Sequence, residues 1–189
     1  MKKVFVVVAL GILTCISRGP ALAWQVWSGN GHEYQAVLAP GGIDFFTAKA
    51  SAEAMGGYLA TIHSNAENSF VYSLIADPAY WWFHYGAADG PWLGGYQAVR
   101  IEPDGGWAWV TGEPWTYTNW GGGQPDNNRG DEHYLHFWGN ASVWNDHGYT
   151  APLSGYVVER GALVPEPSAL LALAGGLGCL ASVFWRHRR

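Results

Sequence analysis

The sequence predicts an α+β fold. Two segments before residue 78 repeat their apolar positions with a helical period, and after Asp77-Pro78 no run is long enough for a helix while Gly, Pro and Asn punctuate short β-prone pieces. An opening strand precedes the helices, so the order is strand, two helices and a loop-rich β half, with no internal repeat.

Residues 1–23, MKKVFVVVALGILTCISRGPALA, begin with Lys2 and Lys3, continue through an apolar run over 4–16 and close on the small-x-small sequence Ala21-Leu22-Ala23. This pattern predicts a secretory signal peptide cleaved before Trp24, its apolar run being too short for an anchor. The opening strand covers 34–38. The first helix is expected over 47–55, where Ala48, Ala52 and Met55 share a face and Gly56-Gly57 supplies a stop. Residues 58–62 read as a short strand or an extended connection. The second helix begins at Ser64, which forms a capping box with Glu67, each side chain satisfying an otherwise unpaired backbone N–H, and Phe70, Leu74 and Ile75 continue its apolar face. Trp81-Trp82-Phe83 falls between helix and strand as a candidate exposed loop cluster for a partner or glycan.

The β pieces are 92–94, 107–110, 132–137, 143–144 and 155–159, and Trp107, Trp109 and Trp144 are expected in the core. The irregular interval 111–128 is long for a compact domain, which marks it as functional. The chain then ends VPEPSALLALAGGLGCLASVFWRHRR: Pro165-Glu166-Pro167, an apolar stretch over 169–185 and the basic cluster Arg186, His187, Arg188, Arg189. Seventeen residues rising about 1.5 Å each just span a bilayer core, and basic residues beyond them place the C-terminus in the cytoplasm. The expected organisation is therefore a signal peptide over 1–23, one domain over 24–163 and a tail with a transmembrane helix over 164–189.

The formal net charge of −5 hides a segregation. Residues 24–164 carry fourteen acids against four bases, Lys49, Arg100, Arg129 and Arg160, a net of −10. Such a body is repelled by nucleic-acid phosphates and attracts cations. Cys15 and Cys179 lie in the terminal segments, so the domain between them must hold together without a disulfide.

The candidate cation site follows the long loop. Gln124-Pro125-Asp126 offers an amide oxygen and a carboxylate two residues apart, and a cis X-Pro bond between them turns both side chains to one side. Glu132 stands six residues on, and Asn145 and Asp146 thirteen further. Five oxygen donors, three of them anionic, suit calcium better than zinc or copper. The run DNNRGDE is not an EF-hand loop, since Gly130 and Asp131 occupy the positions where that pattern needs Asp or Asn and then Gly.

These residues sit in a sequence that resembles the C-type lectin-like domain over roughly 32–160. The resemblance rests on GGYLATIHSNAENSF at 56–70, PWLGGYQ at 91–97, WAWVTGEPWTYTNWGGGQPD at 107–126, WND at 144–146 and GYVVE at 155–159. It implies a C-type lectin-like fold of two helices and antiparallel sheets with a long loop region. It also implies a principal calcium site formed by Gln124, Asp126, Glu132, Asn145 and Asp146, and carbohydrate binding through two neighbouring sugar hydroxyls on that ion. In the family a QPD triplet goes with galactose-type ligands, and galactose binders place a Trp soon after it. Here Asn127, Asn128 and Arg129 follow, which leaves Trp138, Trp120 or His147 as stacking candidates. An auxiliary calcium site has Asn127, Asp131 and Glu132 as its contributors. The family's usual disulfides are missing. The C-terminal segment resembles the PEP-CTERM sorting signal of Gram-negative bacteria, which implies processing by an exosortase, transient membrane anchoring and a destination at the cell surface or in an extracellular matrix, with exopolysaccharide among the possible partners.

Two alternatives are weighed beside the lectin. A metal-dependent hydrolase would draw on His133, His136 and His147, but their spacing fits no zinc motif, and a strand of period two turns His133 and His136 to opposite faces. No Gly-x-Ser-x-Gly, Gly-rich phosphate loop or cysteine nucleophile is present in the body, so no enzyme is expected. In the other alternative the fold is a structural or protein-interaction module, and calcium only orders its loops.

Overall fold

The computed structural model describes residues 23–84 and 87–161. The predicted signal peptide, apart from Ala23, and the predicted sorting tail lie outside the described residues, within which no helix is long and apolar enough to cross a membrane.

Strands β1 (Gln25–Val26) and β2 (Glu33–Ile43) lead into helix α1 (Phe45–Ala54). The helix starts two residues earlier than its periodicity suggests because Asp44 caps it, accepting from the Thr47 amide at 3.0 Å and the Thr47 hydroxyl at 2.6 Å. Phe45, Ala48 and Ala52 form its buried face, and Gly56 ends it at φ +78°, a conformation that costs glycine nothing. The segment read as strand or extended connection is strand only over β3 (Tyr58–Leu59).

Helix α2 (Asn65–Ser73) begins at Ser64, whose hydroxyl accepts from the Glu67 amide at 3.2 Å. The reciprocal half of the capping box does not form. The Glu67 carboxylate is buried instead, accepting from the His63 amide at 2.7 Å and the Tyr34 hydroxyl at 2.5 Å. A core donor outcompetes the local one because a buried carboxylate must keep its hydrogen bonds.

The remaining strands are β4 (Trp82–His84), β5 (Ala87–Ile101), β6 (Gly105–Trp109), β7 (Tyr134–Trp138), β8 (Val143–His147) and β9 (Leu153–Arg160). Six of them follow the order β1-β2-β9-β5-β7-β8, with β3 on β9 and both β4 and β6 on β5. Every pairing between these strands is antiparallel except β5 with β9, which run parallel through Trp92 and Tyr156, so the sheet is mixed where antiparallel sheets were expected. The reason is topological: β2 and β9 pair over almost their full lengths, with Glu33 opposite Arg160, which leaves the other edge of β9 to a strand entering from the same side. The Arg160 Nε donates to Glu33 at 2.8 Å across that pair.

β5 is far longer than the three residues its composition marked. It is buried on both sides for most of its length, so the alternation that exposes a strand in sequence is absent. Leu93 and Val157 face a core under α2 with Ile62, Val71, Trp109, Leu135 and Phe137, while Trp92 and Val158 face a second core under α1 with Phe45, Leu59 and Tyr156. Trp107, Trp109 and Trp144 are buried as expected. The cluster at 81–83 is a strand edge and not a loop: Trp81 is buried, while Trp82 and Phe83 on β4 are exposed.

The aromatics of the long interval pin it to the sheet. Trp115 packs on Trp109 at 4.3 Å between ring centroids and Trp120 on Trp107 at 4.9 Å, while Trp144 bonds through its backbone to Asn119 and Gly121 and through its indole N–H to Asn68 at 2.8 Å. Trp144→Ala is therefore expected to lower unfolding stability by about 3–5 kcal/mol in urea titrations.

Candidate functional site

The irregular interval returns to the sheet at Gln124-Pro125-Asp126, and the Gln124–Pro125 peptide bond is cis. The 3₁₀ turn Asn128–Gly130 follows, entered through Asn127 at φ +47°, a left-handed conformation that Asn tolerates. Asn127 braces the turn twice: its side-chain oxygen accepts from the Glu132 amide at 3.1 Å, and its own amide donates to Asp146 at 2.8 Å. The Asp126 amide donates to the other oxygen of Asp146 at 3.1 Å, and Glu132 accepts from the Asn128 amide at 3.0 Å. Backbone amides thus fold the loop around two carboxylates supplied from outside it.

The result gathers what the sequence separates. Ligand-capable oxygens of Asp126, Glu132 and Asp146 lie within 4.8 Å of one another, and this is the acid-and-histidine grouping of that kind among the described residues. Gln124, Asp126, Glu132 and Asn145 line one open cleft of about 870 Å³, with Asp146 fully buried behind them. The Gln124 Oε1 and Asn145 Oδ1 atoms are buried and have no hydrogen-bond partner. Two orphaned amide oxygens beside three clustered carboxylates, of which Glu132 and Asp146 receive only backbone amides, form an acceptor-rich set, the chemistry a hard cation satisfies. Burial first, then the charge of Asp146, push the Glu132 carboxyl up to about 7, and burial raises Asp146 as well.

Asn145 is oriented from below. Its Nδ2 donates to His136 Nε2 at 3.2 Å, which leaves Oδ1 facing the cleft, and burial pushes His136 down to about 3, so the imidazole is neutral and accepts. Sequence reading set His136 aside as a zinc candidate and missed this positioning role, for which the only signal was its place opposite Asn145 on the neighbouring strand. His133 turns away, its Nδ1 at 2.9 Å from Gln97 Oε1, as the strand period requires. Among the stacking candidates, Trp120 is spent in the core, whereas Trp138 and His147 line the cleft. The auxiliary ion contributors diverge in use: the Asn127 oxygen is engaged within the turn, while Asp131 lines the cleft. Trp82, from the aromatic cluster offered as a contact for a partner or glycan, also lines it, as does Asp89, which the sequence did not mark.

Residues 43–151 match the sequence family described as the Lectin C-type domain, a stretch that spans both helices and every residue of the acidic cleft.

The chain belongs to the C-type lectin domain family.

A perlucin-like protein of Mytilus galloprovincialis is 30% identical over 155 residues, covering 81% of this chain and 90% of the relative. The galactose-specific lectin nattectin of Thalassophryne nattereri is 32% identical over 106 residues, covering 56% of this chain and 61% of its own. The C-type carbohydrate-recognition domain of cow CD23 superimposes with a TM-score of 0.59 at 23% identity over 79% of this chain and all of that one, a likeness of fold. C-type lectin domains are non-enzymatic modules that bind carbohydrate or build structure, which closes the hydrolase alternative.

Because Glu132 binds its proton more tightly folded than unfolded, it stabilises the fold below about pH 4.5, and that contribution is lost as pH rises through about 7. In EDTA the melting temperature of this C-type lectin domain should fall across that window, and Glu132→Gln should flatten the fall.

Proposed function

We propose that the chain is an exported, calcium-dependent carbohydrate-binding module. The observation that carries the reading is the pairing of two unpartnered buried amide oxygens, on Gln124 and Asn145, with the carboxylates of Asp126, Glu132 and Asp146. These five residues would hold calcium: three carboxylates would neutralise the ion, and the two amides would add oxygen ligands without adding charge, leaving coordination positions open. Calcium bound there supplies coordination to neighbouring sugar hydroxyls. The protein side chains accept or donate hydrogen bonds to the same hydroxyls, and the neutral His136 keeps the Asn145 oxygen turned toward the cleft. The reaction class is recognition, with no bond cleaved.

A galactose-type ligand is favoured by the Gln124-Pro125-Asp126 triplet and by the likeness to a galactose-specific relative. Export is supported by the signal-peptide pattern at 1–23. Sorting is supported by the Pro-Glu-Pro motif, apolar stretch and basic cluster at 164–189: these make the tail a substrate for an exosortase, with transient anchoring in the inner membrane before the domain reaches the cell surface or matrix, where exopolysaccharide is a natural ligand.

Calcium should raise the melting temperature of the wild-type chain, and Asp146→Ala should abolish the rise; an undiminished rise in that variant overturns the ligand set. On a glycan array, binding should appear in calcium and vanish in EDTA. Stabilisation by calcium without glycan binding would make the domain a structural module whose loops the ion orders. For the chain recovered outside the cell, N-terminal sequencing should begin at Trp24 and mass analysis should show the tail removed.

A further inference from the structure

The acidic cluster occupies only one part of its cleft. On the other side, three adjacent strands place one side chain each in a single row: Trp82 on β4 pairs with Asp89 on β5, and Asp89 pairs with Trp138 on β7. Directly paired residues of antiparallel strands project to the same face, and two strand spacings separate the tryptophan Cα atoms by about 10 Å. All three line the same 870 Å³ cleft as Gln124, Asp126, Glu132 and Asn145. Trp82 is 40% exposed. Trp138 is half-buried, with its ring lying on Gly121 of the long loop so closely that a Cβ there would come within 2.8 Å of it. The loop therefore holds one side of that indole while the remainder faces the cleft. Asp89 is almost wholly buried, with Oδ2 at 3.7 Å from His147 Nε2, and His147 lines the cleft as well.

Indole surfaces on either side of a carboxylate and an imidazole suit a pyranose, whose C–H face is apolar and whose rim carries hydroxyls that both donate and accept. A protein-docking surface would call for a continuous apolar patch. Here Phe83, 59% exposed, follows Trp82 on a strand of period two and does not line the cleft, so the exposed aromatics of β4 do not merge into one patch.

We propose that Trp82, Asp89 and Trp138 form a second carbohydrate subsite, which takes the next pyranose of an oligosaccharide whose terminal residue occupies the acidic cluster. The inference rests on the carbohydrate-binding reading above and makes the ligand an oligosaccharide chain and not a single sugar. The indoles stack on the second ring, and Asp89 and His147 engage its hydroxyls.

The test titrates the full chain, in calcium, by calorimetry with two ladders of one to four residues, β-linked galactose and α-linked mannose. Affinity should rise about tenfold from one residue to two in the ladder that binds. Trp82→Ala should remove that gain while leaving the one-residue affinity and the calcium-induced rise in melting temperature unchanged, Trp82→Phe should retain most of it, and Trp138→Ala should remove the gain as well. Equal affinity for one and four residues, or unaltered binding of longer oligomers by both alanine variants, overturns the subsite alone. If the wild-type chain binds neither ladder, the carbohydrate reading and the subsite fall together.

Discussion

Trp144 is the residue on which the site depends. Its ring is fully buried among Trp109, Trp115, Tyr117 and Trp120, and its indole N–H ties β8 to Asn68 of α2. Its backbone amide and carbonyl bond to Asn119 and Gly121, so one residue joins the sheet, a helix and the long irregular interval. The next two residues along the chain are Asn145 and Asp146. Rigid seating of Trp144 therefore sets where those side chains emerge, and its two loop bonds set where Gln124 arrives opposite them. In a domain without disulfides, aromatic packing performs the stapling, since each buried indole contributes a large apolar area as well as a directional bond.

A second anchor lies around Tyr34, away from the cleft. Its hydroxyl donates to Glu67 of α2 at 2.5 Å and lies 3.0 Å from Glu159 of β9. The His32 Nδ1 and the Thr61 amide hold Glu159 at 2.7 and 2.8 Å. Burial raises Glu67, yet its hydrogen bonds from Tyr34 and His63 offset part of that cost. The acidic cleft is the opposite case: its carboxylates receive a few backbone amides, its amide oxygens receive nothing, and its charges face one another. One acid network is satisfied within the protein, whereas the other leaves two buried amide oxygens without a donor beside carboxylates that face one another.

Much of this was legible in the chain. Both helices, the Ser64 cap of the second, and the buried Trp107, Trp109 and Trp144 follow from periodicity, capping residues and burial preference, and spacing offered the five candidate oxygen donors. What escaped did so for physical reasons. The length of β5 was hidden because a strand covered on both faces loses its alternation, and the parallel pairing with β9 depends on which edge the terminal strands leave open. Glu67 carried a surface-helix signature and was drawn into the core by Tyr34, a partner 33 residues away. His136 looked like a metal candidate and serves Asn145 from the neighbouring strand.

By itself the sequence determined the α+β class, the separation of a body with a net charge of −10 from basic ends and the absence of disulfides within that body, because these are properties of composition and local spacing, and it offered five candidate oxygen donors. Only the tertiary structure decided that the donors converge, that Trp120 packs inward while Trp138 faces the cleft, and that Trp82, Asp89 and Trp138 stand in one row. Those facts depend on strand register and on the path of a loop whose ends meet the sheet far apart in sequence. Local propensity carries no record of either.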